Sequence, residues 1–268
     1  MRVASQVFFS FFLILSSFTC EALHGDIQKV NIHKLELEKC LLPKDHPLQG
    51  RLKALFENSH MFESNDQLKQ AGFHPFNKRS QPSLMVASHP AIKGYLIKKF
   101  KNEVPQDKQL DNYLDRISGA KALRKFIKVN KLQHIVVPQK WLYRLPKSFA
   151  DLQTGERTYI LIVEHMDICN GGNNPNGTVG TKYHNMDFDI LRELCIVLYY
   201  FRGLDSSLRN MPFTHQNTIA FVDTEKWWDK DREGFLRRAI SYLSQDRQEY
   251  ALAVFEELRK TDRKFKPN

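Results

Sequence analysis

Cysteine is scarce in this sequence. Its 268 residues hold four, and with Cys20 set aside in the N-terminal leader, Cys40, Cys169 and Cys195 remain. Three thiols do not make a disulfide framework, although a single bridge stays open. No C-x-x-C or His-x-His cluster offers zinc ligands. Long apolar runs are missing too. Beyond the leader nothing approaches the roughly 18 apolar residues of a membrane helix, so no span is predicted in the mature chain. There is no internal repeat, no low-complexity tract, no glycine–aromatic RNA-binding signature and no zinc-finger spacing. Nucleic acid is therefore not the expected partner, despite 40 Lys and Arg against 30 Asp and Glu, a formal charge of +10. Such a balance fits a basic solvated surface, the preferred reading, or an acidic partner.

What is present is a globular composition. Hydrophobic residues make up 42% and aromatics 12%, enough for a packed core. Residues 1–22 read as a secretory signal peptide. Arg2 is the positive n-region, VFFSFFLIL (7–15) the apolar core, and Cys20-Glu21-Ala22 a cleavage site before Leu23. An uncleaved anchor is the alternative. The expected protein is thus exported: secreted, periplasmic or lumenal. Residues 23–82 form a lead-in, with short helices expected at 33–42 and 49–56 and a loop punctuated by Gly72, Pro75 and Pro82.

Residues 83–168 predict a sheet and one long helix. Strands are expected at 84–87 and 94–100, joined at His89-Pro90, then at 134–138 and, as the best-formed strand, within TYILIVEHMDI (158–168), where five apolar residues run from Tyr159 to Val163. Between them, Leu110, Leu114, Ile117, Ala120, Leu123 and Phe126 recur at helical spacing over 108–129. Residues 169–268 predict a mostly helical part. A Gly/Asn-rich loop at 170–180 precedes helices at 189–201, 232–243 and 245–259, with one short strand, TIAFV (218–222), that ends on Asp223. Cys195, on the apolar side of its helix, reads as a buried small hydrophobe.

Two carboxylates and an amide come from a loop and a strand end in FRGLDSSLRNMPFTHQNTIAFVDTE (201–225). Asp205 and Asn210 stand five positions apart, and Asp223 follows Asn210 by 13. An Asx turn and an acidic strand end account for these residues in the plainest way. Their order also resembles the protein-kinase-like fold, in which H-R-D-x-x-x-x-N is followed by a strand carrying the Asp of D-F-G. Here Gly203-Leu204-Asp205 and Asp223-Thr224-Glu225 stand in those places. Upstream, Tyr95-Leu96-Ile97-Lys98 resembles the V-A-I-K strand. The resemblance covers about residues 83–225.

It implies an α+β, two-lobed, kinase-like architecture with a shortened C-lobe. It further implies ATP and Mg²⁺ as cofactors of an active member. Lys98 would hold phosphates and Asp205 would be the catalytic base. Asn210 and Asp223 would be metal ligands. Val163 would line the nucleotide pocket, with Glu164, His165 and Met166 as the hinge. The helix lacks the Glu that usually meets the strand Lys, leaving Asp111 or Asp115 as substitutes, and no G-x-G-x-x-G loop precedes Lys98. Three functions follow: a phosphotransferase acting on an unknown protein or small molecule, an inactive pseudokinase that binds a partner, or an exported basic α+β protein unrelated to kinases.

Overall fold

The computed structural model describes residues 37–57, 64–76, 84–100, 104–146, 159–169, 174–227 and 233–264. The expected signal peptide, the start of the lead-in and part of the Gly/Asn-rich loop fall outside them. Seven strands are described: β1 (His74–Pro75), β2 (Leu84–Ser88), β3 (Tyr95–Phe100), β4 (Ile135–Val136), β5 (Lys140–Arg144), β6 (Tyr159–Glu164) and β7 (Ile219–Ala220). The helices are α1 (Leu37–Cys40), α2 (Leu48–Glu57), α3 (Asn65–Gln70), α4 (Gln106–Val129), α5 (Thr178–His184), α6 (Phe188–Tyr200), α7 (Glu233–Ile240) and α8 (Gln245–Lys264). The fold is α+β, with an antiparallel sheet ordered β1-β2-β3-β6-β5.

Alternation along β6 explains why that sheet is covered on both faces. Successive side chains of a strand point to opposite sides. Ile160 and Ile162 therefore join one core with Ile97, Tyr143 and the α2 residues Leu48, Leu52 and Phe56. Leu161 and Val163 join another with Phe100, Leu142 and the α4 residues Tyr113, Leu114 and Ile117. A strand buried twice over reads as one apolar run rather than as alternation, which is why YILIV stands as five apolar residues in succession. The same parity puts Lys98 on the α4 face, with Leu96 and Phe100, and Lys99 on the other. Lys140, in step with Leu142, also faces α4.

The long helix is shared. Its first half packs on the sheet. Its second half, through Ala120, Leu123 and Phe126, enters the largest core, built from α5, α6, α7, α8 and the 204–221 segment. Two sequence expectations change. The strand expected at 134–138 does not join the main sheet: β4 pairs in parallel with β7 alone. The loop expected through 180 gives way to α5 from Thr178. Its third residue, Gly180, packs where an added Cβ would lie 1.9 Å from Pro175 O, so the small side chain admits the preceding turn. Cys40, Cys169 and Cys195 are free thiols, so the bridge left open by the sequence does not form among them.

Candidate functional site

Three segments converge where the sheet, α4 and the chain after β7 meet. Beyond β7 the backbone is held on both sides. Phe221 N donates to Val136 O at 3.0 Å, and Val222 N donates to Asn210 O at 3.0 Å. This fixes Asp223, Thr224 and Glu225 against α4. The approach is close enough to require glycine on the helix: a Cβ on Gly119 would sit 2.1 Å from Thr224 O and 2.6 Å from Trp227 Cδ1. Thr224 is fully buried and links two elements. Its hydroxyl donates to Arg116 O at 2.7 Å and accepts from Lys140 Nζ at 2.8 Å.

Around Thr224 lie three cations and two carboxylates. Arg116 Nε stands 3.2 Å from Asp223 Oδ1, and its Nη2 is 2.5 Å from Glu225 Oε2. The first contact is an ion pair without hydrogen-bond geometry, so the buried Nε–H has no acceptor of its own. The guanidinium also lies 5.5 Å from the Phe100 ring centroid. Lys98 keeps some of its surface open, yet burial is the chief influence on its ammonium and lowers its pKa. The nearby Asp223 and Glu225 oppose that shift, and Arg116 adds to it. Lys140 is buried more deeply. Burial first, then the Lys98 charge, pushes its pKa well below the ordinary lysine value. For Asp223, burial alone would raise the pKa. The charges of Arg116, Lys98 and Lys140 outweigh it and hold the carboxyl below its usual value.

Lys98 and Asp223, expected from the sequence to meet, therefore share one charged cluster. The acids that act on Lys98 are Asp223 and Glu225. The residue of α4 that acts on Lys98 in this cluster is a cation, Arg116. Asp205 is held in a turn of its own. Its Oδ1 accepts from Ser207 N at 3.1 Å, as in an Asx turn, and from Arg238 Nη1 at 3.2 Å. Its Oδ2 accepts from Asn210 Nδ2 at 2.9 Å. The Asn210 side-chain Nδ2 thus donates to Asp205, while its backbone carbonyl accepts from Val222 N. Of the hinge residues, Glu164 N donates to Gln139 O at 2.9 Å and His165 N to Gly94 O at 2.8 Å, so both amides are committed within the sheet. Met166 O accepts from Ile168 N at 3.0 Å. Val163 is buried on the α4 face, in the core beneath the cluster.

A magnesium ion on Asn210 and Asp223 would have to compete with a cation already in place. The ion requires hard oxygen ligands in near-octahedral geometry. Here a guanidinium already faces the Asp223 carboxylate, and Asn210, whose Nδ2 donates to Asp205, would offer its Oδ1. Among the described residues no group of three or more His, Cys, Asp or Glu side chains could hold a metal. Sequence reasoning missed Arg116, Lys140, Glu225 and Gly119. One trace was legible: Arg116 is the one arginine or lysine in the span Tyr113–Ala120, whose apolar residues repeat at helical spacing. A charge in such a stripe calls for partners. No family model matches the chain, and no curated protein matches it significantly.

Proposed function

We propose that this chain is a divergent kinase-like module that binds the phosphates of a nucleotide-like ligand without a metal ion and does not transfer them. The observation that carries the reading is Arg116, paired with Asp223 and Glu225 at the point where a metal would be needed. Displacing it would strand two carboxylates beside buried cations, and breaking such a buried pair costs about 3–5 kcal/mol. A guanidinium instead performs the charge neutralisation that a divalent ion would supply. It has one buried N–H without an acceptor, and Lys98 stands beside it. A phosphate oxygen suits both: arginine meets phosphates through its planar N–H fork, lysine as a point charge. The base would be read weakly, because the Glu164 and His165 amides are already bonded. Asp205 would keep its structural turn and perform no proton transfer.

The two-lobed architecture with a shortened C-lobe and the export signal at 1–22 belong to the same proposal. So does an acidic partner for the basic surface. No helix among the described residues is long and apolar enough to cross a membrane. The phosphotransferase reading retains one favourable observation, the meeting of Lys98 with Asp223.

A thermal-shift titration with ATP, run in EDTA and again in excess Mg²⁺, separates these readings. A ligand that binds only the native state raises the melting temperature. Equal shifts in both buffers, lost in Lys98→Met, with no release or transfer of the γ-phosphate, support the proposal. A shift that needs Mg²⁺, together with phosphate transfer, replaces it with the enzyme. No shift at millimolar ATP removes nucleotide binding altogether.

A further inference from the structure

Cys169, His215 and Asp167 lie together at a place the charged cluster does not touch. Two backbone segments bring them into register. Cys169 N donates to Phe213 O at 2.7 Å, His215 N donates to Asp167 O at 3.1 Å, and Ile168 bridges Thr214 antiparallel between them. The side chains follow. Cys169 Sγ is 4.0 Å from His215 Nδ1 and 3.5 Å from Thr214 O, and His215 Nε2 is 3.7 Å from Asp167 Oδ1. A thiol, a base within reach of its proton and an acid on the far side of the base make the arrangement of an activated nucleophile.

The chain's other described thiols provide the contrast. Cys40 and Cys195 are 0% and 2% exposed, and burial raises the pKa of both, which holds them as thiols. Cys169 keeps 7% of its surface and lies beside an imidazole that is more than half exposed. The thiolate is the reactive form, and a neighbouring imidazolium favours it.

We infer that Cys169 is a site of reversible modification by small-molecule disulfides, with His215 as its base and Asp167 as a positioning residue. The resting thiol donates to Thr214 O. On reaction its proton passes to His215 Nδ1, and Asp167 steadies the resulting imidazolium. The Cys169 sulfur then attacks one sulfur of the disulfide RSSR. A protein S–S–R bond forms as the S–S bond of RSSR breaks, and the departing thiolate takes the proton from His215. Cys169 is oxidised, half of the disulfide is reduced to RSH, and no other oxidant is needed. Excess RSH reverses the step.

The test treats the folded full-length chain with glutathione disulfide and locates the adduct by peptide mass mapping. Iodoacetamide rates across pH provide a second readout. The expected result is an adduct on Cys169 ahead of Cys40 and Cys195, reversed by reduced glutathione. In His215→Asn, both reactions at Cys169 should slow by about tenfold near neutral pH, and the rate profile should move to higher pH, with unfolding unchanged because the ring is largely exposed. Asp167→Asn should slow them by a smaller factor and move the profile in the same sense. Equal labelling of Cys40, Cys169 and Cys195, an unchanged rate and profile in His215→Asn, or no adduct on Cys169 in the folded chain would overturn the assignment.

Discussion

Two arginine–carboxylate pairs in this molecule share a closest approach of 3.2 Å and little else. Arg116 and Asp223 have side chains 6% and 23% exposed, with a second carboxylate and two lysines around them. Arg238 and Asp205 are 47% and 32% exposed, at the edge of a turn. Separation alone would rank them equal. Surroundings do not: the interaction of two charges scales inversely with the local dielectric, and buried charges that lose a partner cannot turn to water instead. The first pair should therefore control the stability and chemistry of the region around it, and the second should be replaceable.

The most damaging way to probe this difference is Arg116→Met. Two acids would be left among buried groups with only lysines to balance them, at a cost of about 3–5 kcal/mol in urea unfolding. A loss below about 1 kcal/mol for Arg116→Met would make the buried pair no different from a surface one. Gly119→Ala tests the same cluster through packing. The new methyl would meet the Thr224 backbone oxygen at 2.1 Å, and backbone cannot swing aside as a side-chain tip can. A cost of about 1–3 kcal/mol is expected in the same measurement, with α4 pushed away from residues 223–225.

The parts of this arrangement that could be read in advance are those governed by local pattern. The apolar run of β6, the spacing on α4 and the β2–β3 hairpin each follow from where successive side chains point, and strand parity puts Lys98 and Lys99 on opposite faces. Asp223 stood out as a charge at the end of a buried strand. Arg116 and Lys140 did not, because their meaning depends on elements that approach from more than 80 residues away. Lys140 looks like an ordinary surface residue until Thr224 is placed against it. Gly119 looks like a weak point in a helix until the neighbouring backbone is present. The turn at Asp205 went the other way. The local reading of an Asx turn describes its Ser207 contact, and the five-residue offset to Asn210 serves an Asp–Asn hydrogen bond.

Lys140 sharpens the comparison through pH. Its folded-state pKa is depressed, so between that value and the unfolded value of about 10.4 the unfolded chain binds more protons than the native one. Stability contributed by this residue therefore rises with pH across that window. Below the folded value its full penalty is present, and above about 10.4 it vanishes. Lys98 acts in the same sense. Cys40 and Cys195, whose thiols are pushed up by burial, set the limit, since unfolded thiols ionise near pH 8.5 and favour unfolding beyond it, as unfolded tyrosines do near pH 10. Unfolding free energies should rise from pH 7 to about pH 8 in the wild type. Lys140→Met should be more stable at pH 7 by on the order of 1 kcal/mol, because the hydrocarbon side chain carries no charge to desolvate. Thr224 would still donate to Arg116 O. The variant should also show a shallower pH slope. A slope as steep as that of the wild type would mean that Lys140 is charged and well compensated in the native state.

Arg238→Ala should have the smallest effect. The contact joins two half-exposed groups, and exposed pairs of this kind contribute about 0.2–1 kcal/mol, less as salt screens them. Asp205 would keep its bonds from Ser207 N and Asn210 Nδ2, so the turn and its hold on the 210–222 hairpin remain. Unfolding in low and high salt should show a loss of about 0.5 kcal/mol that shrinks toward nothing as salt rises. A loss comparable to that of Arg116→Met, or one insensitive to salt, would mean that Asp205 sits in a drier environment than its exposure implies. The contrast between the two pairs would then rest on something other than burial.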